Sequence, residues 1–506
     1  MDKKKQVALI ILDGWGYRTE KEYNAIIEAE TPFFDRLWSS YPHALLEASG
    51  EAVGLPAGQI GTSEVGHATI GAGRAIDTHL VRVAKAGRNG EFSTNQAFVD
   101  LFNHVKKYDS TLHVQGLIGP GGVHSSEEHL YDFLKTAKAA GLKKIAIHAF
   151  TDGRDTPPQS SAEFLKKLEE ILESLGVGFI ATCMGRYYAM DRDHNWDRLE
   201  VATSAMYDGQ AKNFCSNKKP SEILSKLYQE NILDEFLEPI IFLDENNNCC
   251  RIQENDGIFF FNFRADRARM LTKMNLQKSE KNNLFFVTLT EYDRDLHSVV
   301  AFPPIKIETN LAEQISLANL TQAHIAETEK FVFATYYFNG SRELPYKNEK
   351  DIIIQSRQDV KTHDQAPEMR AKEIADAAIE EIKNGTNFLI INFANADIIG
   401  HTANREALIQ AVESVDFQAD RIVDEIIKNG GTAVMTADHG NAEVYYDIVT
   451  DTKHTAHTLS LVPFILTEKN LKIKESGTLA DVAPTILEIL DLKKPEFMTG
   501  QSLIQK

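Results

Sequence analysis

The sequence predicts an α/β fold in two domains, and three features carry that prediction. Strand-length apolar runs recur along the chain, helix-period stretches separate many of them, and 506 residues exceed what one ordinary core accommodates. Strands that alternate with helices close into largely parallel sheets covered on both faces.

The first run, residues 6–12, is almost wholly apolar and stops at Asp13-Gly14, as a strand buried on both faces should. Comparable runs fall at 112–118, 144–150, 177–184, 257–263, 284–289, 388–393 and 432–436. Residues 160–175 have helical periodicity, with Phe164, Leu165, Leu168, Ile171, Leu172 and Leu175 on one face. Ser160 and Glu163 ahead of them have capping-box spacing. Residues 371–383 and 405–427 have the same character. Asn246–Asn248 reads as a surface turn, and Pro303-Pro304 as a linker between the middle and final thirds.

Bulk properties exclude several classes. Hydrophobic content of 43% and charged content of 25% belong to a folded soluble protein. A net charge of −19 argues against a nucleic-acid or anionic-membrane surface. The opening MDKKKQVALIILDGWG imitates a signal peptide, but Asp13 interrupts its apolar run and no small-residue cleavage site follows. Four cysteines without C-x-x-C spacing suit a reducing cytoplasm and offer no zinc knuckle.

The stretch GQIGTSEVGHATIGAGR, residues 58–74, places Ser63 among small residues that let a ligand approach the backbone. Thr62 or Ser63 can cap a helix starting at Glu64. Ser63 can also be a nucleophile, and the two readings are compatible, because a serine at a helix N-terminus presents its phosphoester to free N–H groups. Ligand-type side chains follow three strands. Asp13 ends ILDGWG, Asp397 and His401 lie in NFANADIIGHT, and Asp438 and His439 lie in TADHGNAE, with His454 and His457 shortly after. In open α/β sheets, ligands bind beyond the carboxyl ends of the strands. Four-residue spacing puts Asp397 and His401 on one helix face, whereas adjacent Asp438 and His439 need an irregular turn to reach one ion. Each residue alone has an ordinary explanation as a turn cap or satisfied imidazole. Jointly they suffice for two divalent ions, and carboxylate–imidazole ligation without thiolate suits Mn²⁺ or Zn²⁺ better than Ca²⁺ or Mg²⁺. Such ions would activate the serine hydroxyl and neutralise a transferring phosphoryl group.

The middle of the chain offers anion-binding groups instead. His124 lies in GGVHSS, Arg154 and Asp155 in TDGRDTPP, Arg186 and Arg192 in MGRYYAMDRD, and Arg264 and Arg267 in NFRADR. Guanidinium forks suit carboxylate and phosphate oxygens, although any one arginine is explained as well by a surface ion pair.

Together with the TEK and TAHT segments, these motifs resemble the cofactor-independent phosphoglycerate mutases, of the alkaline phosphatase superfamily, in order and over essentially the whole chain. The resemblance implies interconversion of 3- and 2-phosphoglycerate without bisphosphoglycerate, in glycolysis and gluconeogenesis. A metal-dependent phosphatase or phosphopentomutase of the same superfamily is the alternative. It implies Ser63 as the nucleophile that becomes phosphoserine, with Asp155 and Lys330 also catalytic. One manganese ion would be held by Asp397, His401 and His457, and the other by Asp13, Ser63, Asp438 and His439. Substrate contacts would be His124, Arg154, Asp155, Arg186, Arg192, Arg264, Arg267 and Lys330. The implied architecture is a discontinuous, alkaline-phosphatase-like metal domain, 1–77 with 311–506. A second α/β domain, 78–310, is inserted through two hinges. The expected partner is the small-molecule substrate, with no nucleic acid or membrane, and the expected state is a cytoplasmic monomer. Thr62, Ser126 and Asn404 depart from the family pattern, as do residues 336–343 and 361–369, and none of them is an implied ligand.

Overall fold

The structure is a computed structural model that describes residues 5–215, 218–244 and 247–505. The lysines at positions 3 and 4 and the Asn246 end of the expected turn lie outside the described residues. The chain divides into two compact units, Met1–Thr78 with Lys306–Lys506, and His79–Ile305.

The first unit is built on an eight-stranded sheet. In spatial order its strands are Glu349–Ile354, Gln322–Glu327, Phe388–Phe393, Val7–Leu12, Thr432–Thr436, Val462–Leu466, His43–Glu47 and Ser476–Thr478. The first five run parallel, and Val462–Leu466 is antiparallel to both neighbours. Val7–Leu12, Phe388–Phe393 and Thr432–Thr436 are buried throughout, which accounts for their unbroken apolar sequences. Helices Ala371–Lys383 and Arg405–Lys428 pack on each other and against the sheet.

The second unit holds another eight-stranded sheet, in the order Val299–Phe302, Phe285–Thr290, Gly257–Phe260, Leu112–Leu117, Ile145–Thr151, Phe179–Gly185, Ile240–Phe242, Asn213–Cys215. Six strands are parallel and Ile240–Phe242 reverses against Phe179–Gly185. Both faces are apolar. Phe259 and Phe261 join one core, Ile258 and Phe260 the other, as alternation of side chains along a strand requires.

Two expectations need correction. The run at 257–263 forms a strand only to Phe260, because Asn262 leaves the ladder and accepts the backbone N–H of Leu117 through its side chain. The capping box at Ser160 does not form. Its hydroxyl donates back to the Pro157 carbonyl, and Asp234 accepts the N–H groups of Ser160 and Ser161 at 2.9 Å each.

Candidate active site and metal centre

Ser63 is the first residue of the helix Ser63–Ala72, and Thr62 caps that helix by accepting the Val65 N–H. The helix packs tightly on the turn after Thr432–Thr436, where a Cβ at Gly66 would come within 2.6 Å of the Asp438 carbonyl. Gly14, in left-handed backbone at φ +77°, passes equally close to Asp397. These contacts bring together residues from both ends of the sequence.

The Ser63 hydroxyl lies 2.6 Å from Lys330 Nζ, 3.0 Å from His439 Nε2 and 3.4 Å from Asp13 Oδ1. Lys330, itself buried, also reaches Asp13 and Asp397 at 2.6 Å each. Beyond Asp397, His457 Nε2 is 3.0 Å and His401 Nε2 3.3 Å from Asp397 Oδ1. The Nδ1 atoms of His401 and His457 each lie 2.8 Å from a backbone carbonyl, of Thr455 and Gly61 respectively. A carbonyl only accepts, so Nδ1 carries a proton, and Nε2 is the nitrogen that faces the cluster, donating to Asp397 when protonated and offering its lone pair to an ion when not. The helix expected to align Asp397 with His401 is Asn395–Gly400, with His401 at its C-terminal cap. Three overlapping ligand sets emerge: Asp397, His401, His457; Asp13, Asp397, His439; and Asp13, His67, Asp438. His454 belongs to none of them.

The electrostatics suit cations. Asp13, Asp397 and Asp438 are all buried, and Lys330 is the lysine that meets them. Burial, reinforced by Asp438, pushes the Asp13 carboxyl upward. Burial also opposes charge on Asp397 and Asp438, but Lys330 and the nearby imidazoles outweigh it and hold both well below the carboxylate range. Asp438 Oδ2 is buried with no hydrogen-bond donor of good geometry. Buried carboxylates in excess of their cation are costly unless further positive charge is present. The donor set therefore fits divalent ions.

The second unit holds a separate cluster. Arg186, buried, donates to Asp152 at 2.5 Å and Asp155 at 2.6 Å, and its other terminal nitrogen lies 3.0 Å from His124 Nε2. Burial and the Arg186 charge lower His124 to about 4, so the ring is neutral near pH 7. Asp266 links the set to Arg192 and Arg264 at 3.1 Å each. Burial and the neighbouring charges of Arg186, Arg192 and Arg154 lower Arg267, which donates to the Met190 carbonyl. Arg154 instead makes an exposed pair with Glu235 at 3.3 Å. A crowd of guanidiniums with partly satisfied forks can exchange carboxylate partners for an anionic ligand.

Sequence reasoning missed four residues here. His67 follows Ser63 by one helical turn, a spacing visible in the motif. Asn392 reads as a polar lapse in an apolar strand. Asp152 accepts the N–H groups of Arg154 and Asp155, shaping their turn. Glu443 ties the Gly16 N–H to the Asn441 N–H and to the Thr458 hydroxyl beside His457.

Residues 83–294 match the family model described as the BPG-independent PGAM N-terminus. The chain is 44% identical to proteins named 2,3-bisphosphoglycerate-independent phosphoglycerate mutase from Listeria welshimeri and Clostridioides difficile, over 99% of its own length and 100% of theirs. A crystal structure of Leishmania mexicana phosphoglycerate mutase, at low cobalt concentration, superposes with a TM-score of 0.58 at 30% identity, covering 99% of this chain and 98% of that one. With its buried serine–carboxylate–imidazole cluster matched by full-length similarity of this degree, the chain belongs to the 2,3-bisphosphoglycerate-independent phosphoglycerate mutase family.

Proposed function

We propose that this chain interconverts 3- and 2-phosphoglycerate without bisphosphoglycerate, by lodging the phosphoryl group on Ser63 and returning it to the other hydroxyl of the same glycerate. The observation that carries the reading is Ser63 Oγ at a helix N-terminus, 2.6 Å from a buried lysine that two buried carboxylates also hold.

Two Mn²⁺ ions would be held by Asp397, His401 and His457, and by Asp13, Ser63, Asp438 and His439. Bound there, they would supply activation of the serine hydroxyl and neutralisation of phosphoryl charge. The low-cobalt Leishmania structure supports a divalent ion without choosing between metals.

Ser63 Oγ, as the alkoxide whose proton has gone to solvent and which is regenerated when the phosphoryl group leaves, forms the new O–P bond as the glycerate O–P bond breaks in line, and the N–H groups of its helix favour the resulting phosphoserine. Lys330 offsets charge on the moving group. Arg154, Arg186, Arg192, Arg264, Arg267 and His124 would bind the glycerate end. Asp155 would give a proton to the leaving oxygen and later take one from the hydroxyl that attacks phosphoserine. At rest, burial raises Asp155, but the Arg186 guanidinium hydrogen-bonded to it outweighs that and holds it below its usual range, so it is a carboxylate. Transfer of Arg186 from Asp155 to a substrate carboxylate would remove that restraint and favour the proton-donating form.

The test supplies 3-phosphoglycerate and Mn²⁺ without bisphosphoglycerate. Formation of 2-phosphoglycerate by the wild type and not by Ser63→Ala is expected; free phosphate as the main product would make the protein a phosphatase.

A further inference from the structure

His67 and Asn392 have no part in the reaction above, yet they join the nucleophile's helix to a proposed metal ligand. The buried ring of His67 places Nδ1 2.9 Å from the Ser63 carbonyl, an acceptor only, so Nδ1 carries the proton and Nε2 accepts. The Asn392 amide nitrogen lies 3.0 Å from that Nε2 and 2.9 Å from Asp13 Oδ2. Its two hydrogens match the two acceptors, one each. A continuous chain results, from the Ser63 carbonyl through His67 and Asn392 to Asp13. Every donor in it faces an acceptor in one assignment of tautomer and amide orientation.

The chain has a directional consequence. With Oδ2 engaged by Asn392, Asp13 turns Oδ1 toward Ser63 Oγ and Lys330. His67 Nδ1 also faces Asp438 Oδ2 at 3.3 Å, so the ring borders two carboxylates proposed for the same ion. Residue 392 must be a double donor of this shape. Aspartate there would set a carboxylate against Asp13, and leucine would leave both Asp13 Oδ2 and His67 Nε2 without partners.

We infer that His67 and Asn392 are positioning residues that fix the Asp13 carboxylate and the first turn bearing Ser63 for the ion shared by Asp13, Ser63, Asp438 and His439. This rests on the two-ion reading of the site. Hydrogen bonds that orient a metal's ligands typically govern affinity by about 10–100-fold.

The test titrates metal-stripped full-length protein with Mn²⁺ and reads free Mn²⁺ from its electron paramagnetic resonance signal, without turnover. The wild type is expected to take up two ions. Asn392→Leu should weaken one of them by about 10–100-fold and leave the other within about twofold. Asn392→Ser, which keeps a donor, should weaken the same ion less, and it answers the question if the leucine variant does not fold. His67→Leu should reproduce the selective loss. Unchanged affinities, or equal weakening of both ions, would overturn the assignment while leaving the two-ion reading intact. A wild type that takes up no Mn²⁺ would remove that reading first and this inference with it.

Discussion

The Ser63 cluster and the Arg186 cluster both bury charge, but they balance it in opposite ways. Around Ser63, three buried carboxylates stand against one buried lysine, which pairs with two of them, so negative charge is in excess. Around Arg186, one buried guanidinium already has two carboxylates and an imidazole, and further arginines crowd the edge. The first arrangement is short of cations and suits metal ions. The second is held together by its own pairs, and an anion must displace one of them. Substitutions should therefore separate the clusters by kind of damage: lost chemistry or metal in one, lost stability together with substrate binding in the other.

The largest effect should come from Ser63→Ala. Removing the nucleophile should lower the mutase rate by on the order of 10⁴-fold or more. Thermal unfolding of the ion-free protein should hardly change, because the helix cap belongs to Thr62 and not to the Ser63 hydroxyl. Substantial turnover in a coupled assay of the variant would move the phosphoryl acceptor elsewhere.

Arg186→Met tests the other side of the comparison. It leaves Asp152, as buried as the arginine, and Asp155 without their cation. Breaking a buried pair on one side costs about 3–5 kcal/mol, much of it the penalty of the stranded charge. Urea unfolding followed in the second unit should report that loss. A cost below about 1 kcal/mol would make the pair a surface-like contact.

How much of this was legible in the sequence follows the same division. Phe388–Phe393 and Thr432–Thr436 begin and end where their apolar runs do, because strands buried on both faces tolerate little else. The ligands at their ends were legible as residue types in a repeated setting. Edge strands were not. Glu349–Ile354 opens with Glu-Lys-Asp and is only partly buried, so its sequence carries no strand period. Nor were the connecting residues legible, since His67 and Asn392 meet across 325 positions and no local pattern records that contact. Departures from the family motifs proved locally intelligible: Thr62 caps one helix and Asn404 another, where it also donates to Asp364.

A titration should sharpen the contrast. Asp397, hydrogen-bonded to both imidazoles, raises His401 above the ordinary 6.5 against a smaller opposing effect of burial, and raises His457 although burial is there the largest single effect and opposes it. Raised histidines favour the folded ion-free protein at pH below about 6.5, and that gain is lost as pH climbs through the raised values. Mn²⁺ needs the same Nε2 lone pairs, so acid opposes the ion while favouring the ion-free fold. The difference in Tm with and without Mn²⁺ should therefore shrink from pH 8 to pH 6. His124 should take no part, because at about 4 it stays neutral across the range. A constant Tm difference would place the ions away from these imidazoles.

The smallest effect belongs to Thr62→Ala. Loss of a side-chain cap typically costs about 1 kcal/mol, and the 3.5 Å contact to the Val65 N–H puts this one near the lower limit of about 0.5 kcal/mol. The helix should survive, since its small residues are pressed against the Asp438 turn and the Phe338 carbonyl. What the cap adds is the entry angle of the chain at Ser63, so the mutase rate should fall by a larger factor than the stability loss would suggest. Parallel urea unfolding and steady-state assays decide this. If rate and stability both stay at wild-type values, the packed glycines alone aim Ser63, and the threonine at position 62 has no bearing on the reaction.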